Sequence, residues 1–215
     1  MLSDFTIVIV DYGMGNIRSI KNAIAHIGDY RVVVSAAEKD ISQADALILP
    51  GVGAFPDAMA TLKSKGLDKL LTVEVVEKQK PVLGICLGMQ LLFDSSEEGG
   101  GNKGLGWIPG EVKKIDSGKG FRVPHVGWND LVLTRQADTF FQELGTDKNF
   151  YFVHSFFASC KDEYVTAKFE YGKLFTAAVH YKNIVGMQFH PEKSQTNGLC
   201  ALKNFIDWVV EGKNA

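Results

Sequence analysis

Gly84-Ile85-Cys86-Leu87-Gly88 closes one apolar run, PVLGIC (81–86), and opens another, LGMQLLF (87–93). A cysteine at a strand-to-helix junction between two glycines has the form of a nucleophile elbow, with cysteine in the position of serine. The glycines are the physical signature: strand, helix and substrate can crowd the sulfur only if its neighbours are small. A helix starting at Leu87 aims its first amides at Cys86, which favours thiolate over thiol and offers an N–H to a developing oxyanion. The same five residues also fit a buried structural cysteine between packing glycines, so the decision falls to the context.

A cysteine nucleophile needs a base, and the base a third group to orient it. The chain has five histidines: His26, His125, His154, His180 and His190. His26 lies on an amphipathic helical pattern, and His180 in a strand where it can face water. His190 ends the apolar run IVGMQF and is followed by Pro191 and Glu192. Proline favours an extended residue before it, and in extended chain His190 and Glu192 project to the same side. A carboxylate there would hold the imidazole tautomer and stabilise its charged form. The alternative is a strand end with a surface ion pair.

The third feature is Pro50-Gly51-Val52-Gly53, directly after the apolar run ALIL (46–49). Ligands of parallel sheets gather beyond the carboxyl ends of the strands, so this loop and Cys86 belong on one rim. Its glycines let the backbone turn and present amides, which makes it a candidate second half of an oxyanion hole as well as an ordinary turn. Asp11–Arg18 begins like a dinucleotide fingerprint, but Arg18 occupies the third glycine position and the pattern fails. No nicotinamide or flavin is expected.

These features must be carried by an alternating framework. FTIVIV (5–10), RVVV (31–34), ALILP (46–50) and PVLGIC (81–86) read as strands. Between them lie NIRSIKNAIAHIG (16–28), with Ile17, Ile20, Ile24 and Ile27 at helical spacing and Gly28 as a stop, and one or two helices over 54–79. Apolar strands alternating with helices predict an α/β fold whose central sheet is mostly parallel and flanked by helices. Residues 107–189 carry short β-like segments: GWIPGEVKKI, NDLVLT, NFYFVHSFF, YVTAKFEY, LFTAAVHY and NIVGMQFH. Their punctuation by glycine and charge predicts added antiparallel segments. A helix over 199–212 closes the chain, and the polar stretch 95–104 reads as a surface loop. With no linker evident, residues 1–215 read as a single domain.

Composition narrows the classes. The 215 residues carry 23 Lys plus Arg against 25 Asp plus Glu, a formal charge of −2, so no basic footprint for nucleic acid exists. No apolar run approaches the roughly 18 residues of a membrane span. Cys86, Cys160 and Cys200 are too far apart for metal-ligand spacing and too few for a disulfide framework, so no metal is expected and the plain expectation is a cytoplasmic protein. Glycine, at 22 residues, is abundant, and Gly51, Gly53, Gly84 and Gly88 frame the proposed site.

Taken together, PGVGAF (50–55), GICLGMQLLF (84–93) and QFHPEKS (188–194) resemble the class I, triad-type glutamine amidotransferases. The resemblance implies a Cys86–His190–Glu192 triad that hydrolyses glutamine to glutamate and ammonia. It implies an oxyanion hole from the backbone of Leu87 and Val52, the latter after a peptide flip. It also implies glutamine-binding positions at Gly53, Gln90 and Glu98 and at the backbone of Ser155 and Phe156. DYGMGNIRSI (11–20), VPHVGWN (123–129) and YFVHSF (151–156) are similar to one branch of the family. Its members form a heterodimer with a (β/α)8-barrel cyclase subunit that uses the ammonia to make imidazole glycerol phosphate and AICAR in histidine biosynthesis. Asn16, Trp128, Tyr151 and Lys193 match positions at that interface. Taken by themselves they also read as a helix cap, a core aromatic, a strand residue and a solvent-facing lysine. The alternative within the family is a paralogue that supplies ammonia to amino-sugar synthesis for surface polysaccharide. Two departures stand out: Phe156 and Phe157 replace tyrosines common in the family, and Gly99–Gly101 lengthens the loop after Glu98.

Overall fold

The computed structural model describes residues 5–116, 118–134, 139–146 and 148–214. In chain order its elements are β1 (Thr6–Val10), α1 (Ile17–Ile27), β2 (Arg31–Ser35), α2 (Glu38–Gln43), β3 (Ala46–Leu49), α3 (Phe55–Ser64) and α4 (Leu67–Thr72). Next come β4 (Val82–Ile85), α5 (Leu87–Leu91), β5 (Phe93–Ser96), β6 (Asn102–Lys103), β7 (Ile108–Lys114), β8 (His125–Leu133) and β9 (Asn149–His154). The last are β10 (Phe156–Cys160), β11 (Val165–Glu170), β12 (Leu174–Tyr181), β13 (Ile184–Met187) and α6 (Gln195–Asn214).

Nine strands form one sheet in the order β2-β1-β3-β4-β13-β12-β11-β8-β9. The β2 to β13 half is parallel, and from β13 to β9 every neighbour is antiparallel. The antiparallel segments expected of the second half therefore extend the central sheet, and others build a smaller four-stranded sheet, β10-β7-β5-β6. Side-chain alternation along β1 explains why helices cover both faces. Ile7 and Ile9 pack into a core with Ile20 and Ile24 of α1 and Phe205 and Ile206 of α6. Val8 and Val10 pack into a second core with Phe55, Ala58 and Leu62 of α3.

Three local expectations give way. LGMQLLF is not helical to its end: α5 stops at Leu91 and Phe93 begins β5, because its backbone joins the small sheet beside Ile108. NFYFVHSFF is not one strand: it breaks at Ser155, with β9 in the large sheet and β10 in the small one. The 95–104 stretch is not wholly a loop, since Ser95 and Ser96 pair with Lys103 and Asn102. Among the described residues no helix is long and apolar enough to cross a membrane.

Candidate active site

The end of β4 and the start of α5 meet at Cys86, whose φ of 55° and ψ of −112° lie outside the usual regions for a side-chain-bearing residue. The conformation is imposed from both sides. The Cys86 N–H donates to Met187 O of β13 at 2.8 Å, and the Cys86 carbonyl accepts Gln90 N–H at 3.2 Å. Only glycine fits the flanks: a Cβ on Gly88 would lie 1.9 Å from Leu49 O, and one on Gly84 would lie 2.8 Å from Gly88 O. Gly88→Ala must therefore push the β3 terminus and its PGVG loop away from Cys86. It is expected to destabilise the fold by about 3 kcal/mol, the upper end for overpacking, as read by urea unfolding. The helix after Cys86 spans five residues, Leu87–Leu91, so the charge effect expected from its dipole is small, while the Leu87 amide keeps its place at the helix start.

Cys86 is buried, and its Sγ lies 3.9 Å from Val153 O and 3.8 Å from Gln188 Nε2. His190 lines the same cavity as Cys86, and its Nδ1 lies 2.9 Å from Glu192 Oε1, which leaves Nε2 free to act on the sulfur. The His190 and Glu192 side chains are 3% and 0% exposed. The His–Glu contact does not arise from extended chain: Pro191–Lys193 forms one turn of 3-10 helix with His190 extended at its start. Ser194 secures this turn, its hydroxyl donating to His190 O at 2.6 Å and accepting Tyr151 N–H at 3.0 Å. Burial opposes charge on His190, but hydrogen bonds to Cys86 and Glu192, and their negative charges, outweigh it and push the imidazole pKa up to about 9.

A cavity of about 390 Å³ opens over the sulfur. It is lined by Val52, Gly53, Cys86, Leu87, Gln90, Glu98, Ser155, Phe156, His190 and Lys193, so the residues singled out around glutamine meet in one place, with Glu192 directly behind His190. Tyr12 anchors the PGVG loop, its hydroxyl donating to Pro50 O at 2.8 Å. Glu98 Oε2 accepts Phe55 N–H at 2.9 Å. Pro124, Val153 and His154 also line the cavity and carried no isolated signal in sequence, although each falls within a segment that matched the family branch. His26 is exposed on α1, and His180 Nε2 bonds Lys182 O at 2.7 Å, so neither joins the site.

The four residues matched to an interface also cluster. Trp128 is 45% exposed, not a core aromatic, and packs edge-on against Tyr151 with ring centroids 5.8 Å apart. Lys193 Nζ lies 5.7 Å from the centre of the Tyr151 ring. Asn16 makes no side-chain cap to α1; its Nδ2 donates to Glu192 Oε1 at 3.3 Å. No group of three or more His, Cys, Asp or Glu suited to a metal occurs among the described residues.

Comparison with known proteins agrees with this arrangement. The chain is 62% identical over 203 residues, 94% of each chain, to "Imidazole glycerol phosphate synthase subunit HisH 2" of Vibrio vulnificus. It is 44% identical over 207 residues to "Imidazole glycerol phosphate synthase hisHF, chloroplastic" of Arabidopsis thaliana, covering 95% of this chain and 34% of that protein. Among solved structures, PurLQS from Thermotoga maritima superposes with a TM-score of 0.73 at 18% identity, over 96% of this chain and 99% of that one, a likeness of fold. The family described as Glutamine amidotransferase class-I matches residues 8–208. A strained cysteine elbow, a buried histidine–glutamate pair, and this match across nearly the whole length make the chain a member of the class I glutamine amidotransferases.

Proposed function

We propose that the chain is the glutaminase subunit of imidazole glycerol phosphate synthase, releasing ammonia from glutamine for histidine biosynthesis. The observation that carries the chemistry is the buried line from Cys86 through His190 to Glu192 at the floor of the cavity. The pathway rests on likeness to proteins named as that subunit, at 62% and 44% identity.

In this reading Cys86 Sγ, its proton already held by His190, attacks the side-chain amide carbon of glutamine. The Leu87 and Val52 amides receive the oxyanion, each such donor contributing about 2.7–4 kcal/mol to the transition state. His190 then protonates the departing nitrogen, ammonia leaves, and a thioester remains on Cys86. Having lost its proton to ammonia, His190 takes one from water, whose oxygen displaces the sulfur and yields glutamate. A basic imidazole suits both steps: it holds its proton at neutral pH until the leaving group needs it, and is then a strong base toward water. Gly53, Gln90 and the backbone of Ser155 and Phe156 hold the substrate, and the Glu98 carboxylate faces its ammonium. Because Cys86 and the His190–Glu192 pair come from opposite halves of the chain, we treat it as one domain, and we assign it to the cytoplasm.

The partner is a (β/α)8-barrel cyclase subunit, met by the patch of Asn16, Trp128, Tyr151 and Lys193. The Arabidopsis relative is named for the synthase as hisHF, and this chain covers 34% of it, which leaves room there for a second activity that works with this one. The test is to mix the purified chain with the cyclase or with an amino-sugar synthase and follow glutamate release. Stimulation by the cyclase is expected; stimulation by the sugar synthase alone would overturn the pathway assignment. With neither partner, turnover is expected to be slow, because in this reading the PGVG loop, with its two glycines, turns its Val52 amide into the oxyanion hole only in the complex.

A further inference from the structure

Two buried histidines remain outside the triad. His154 ends β9, and His125, its register partner, begins β8. They are 6% and 3% exposed. His154 Nδ1 lies 2.8 Å from Phe156 O, and His154 Nε2 lies 3.2 Å from His125 Nδ1. The Phe156 carbonyl receives a second donor, Gln90 Nε2, at 2.9 Å.

Their location gives these bonds meaning. Between His154 and Phe156 the chain leaves the large sheet and enters the small one, with Ser155 alone at the crossing. At such a crossing the backbone loses regular ladder partners and needs side chains to satisfy it. Here two side-chain donors fill the lone pairs of one carbonyl, in a segment that lines the cavity over Cys86. We propose that His154 is a positioning residue for glutamine, holding the Ser155–Phe156 backbone against the pocket in a tautomer set by His125. The inference rests on the reading of that backbone as part of the glutamine site.

The tautomers follow from the partners. A carbonyl only accepts, so His154 carries its proton on Nδ1, and His154 Nε2 accepts from His125 Nδ1. A proton added to His154 would set two N–H groups against each other at 3.2 Å unless His125 moved its own proton to Nε2. Burial likewise pulls the His154 pKa down to about 3 and that of His125 below its usual value. His125 is fixed in turn by aromatic neighbours, stacked on Phe169 at 5.1 Å with Tyr171 at 4.2 Å. A neutral, rigid pair of this kind suits a scaffold that must not change charge during turnover.

The test compares His154→Asn with His154→Leu in the reconstituted complex. The asparagine amide nitrogen can occupy the Nδ1 position and still donate to Phe156 O, whereas leucine cannot. Losing a donor to a buried carbonyl predicts a roughly tenfold rise in glutamine KM for His154→Leu with kcat nearly unchanged, and a KM within about threefold of wild type for His154→Asn. Nitrogen NMR of the wild-type protein should show His154 as the Nδ1–H tautomer, a readout that stands even if the leucine variant does not fold. An Nε2–H tautomer, equal KM values for the two variants, or a loss of kcat at constant KM in both would overturn the inference. A parallel Cys86→Ala variant separates the two levels. If it stays active, the reading of the whole site fails; if it is inactive while His154→Leu keeps the wild-type KM, only the role of His154 fails.

Discussion

Cys86→Ala is expected to lower glutamine-dependent product formation in the complex with the cyclase by at least about 10⁴-fold, the scale on which loss of a covalent nucleophile acts. Added ammonia should still support the synthase reaction in the same complex, because it bypasses the step that needs sulfur. The prediction is severe because nothing nearby substitutes. His190 and Glu192 are arranged around the sulfur alone, and water in the cavity would have to attack an unactivated amide. The change is small enough to leave the fold intact: the side chain is buried at 6% exposure, and alanine tolerates the positive φ of 55° no worse than cysteine. Matching thermal unfolding, measured beside the ammonia-dependent rate, checks this. Glutamine-dependent activity within tenfold of wild type would remove Cys86 from the mechanism.

The second large effect is expected at Glu192. Its Oε1 takes both the His190 Nδ1 contact and the Asn16 Nδ2 hydrogen bond, while Oε2 is buried without a hydrogen-bond partner. Glu192→Gln can therefore place its amide oxygen where Oε1 sits and keep both contacts, removing charge rather than geometry. The sign follows from the His190 pKa of about 9. In the proposed mechanism the imidazolium protonates the departing nitrogen and must be charged, so kcat/KM in the wild type is expected to fall as pH rises through about 9. Without the carboxylate charge the imidazole holds its proton less tightly, and the alkaline limb should move down by about a unit or more. A limb lowered by one to two units from about 9 costs the variant about two- to tenfold in kcat/KM at pH 8 and about ten- to a hundredfold at pH 10. A full pH profile distinguishes this from misfolding, which lowers the amplitude but leaves the limb in place. An unmoved limb would mean that Glu192 does not set the charge of His190.

The interface patch ties these predictions to the partner. Asn16 belongs both to the residues matched to an interface and, through Glu192, to the triad. Lys193 follows Glu192 on the same 3-10 turn and reaches toward Tyr151, on which Trp128 packs. A partner seated on this patch would thus lie next to the groups that move the proton, with little structure between the docking surface and the chemistry.

Much of this site was legible in local sequence because its requirements are local. A cysteine that must sit at positive φ between a strand and a helix needs glycines two positions to either side. The carbonyl of Leu49 and the backbone of α5 leave space for nothing larger. The apolar runs of β1, β3 and β4, and the isoleucine spacing of α1, follow from burial on two faces of a sheet, a pattern written residue by residue. The His190–Glu192 pair was also read correctly, but for a different reason from the true one. The chain turns through Pro191–Lys193 instead of staying extended, and the carboxylate still meets Nδ1.

Only the tertiary structure decided the rest. The early end of α5 at Leu91 depends on Phe93 finding Ile108 in another strand, and the break at Ser155 depends on two sheets competing for one β-forming run. Neither partner is visible from the segment itself, since strand propensity is silent about which edge a strand joins. Trp128 is apolar in sequence whether it is core or surface; its exposure follows from the outward face of β8. His125 and His154, twenty-nine positions apart, become one hydrogen-bonded unit only when β8 pairs with β9. The sequence by itself marked Cys86 as a candidate nucleophile, because the backbone demands of its elbow are steric and local. What meets the Phe156 carbonyl was decided by long-range strand pairing, because the bonds from Gln90, and from the His125–His154 pair, exist only between segments that folding brings together.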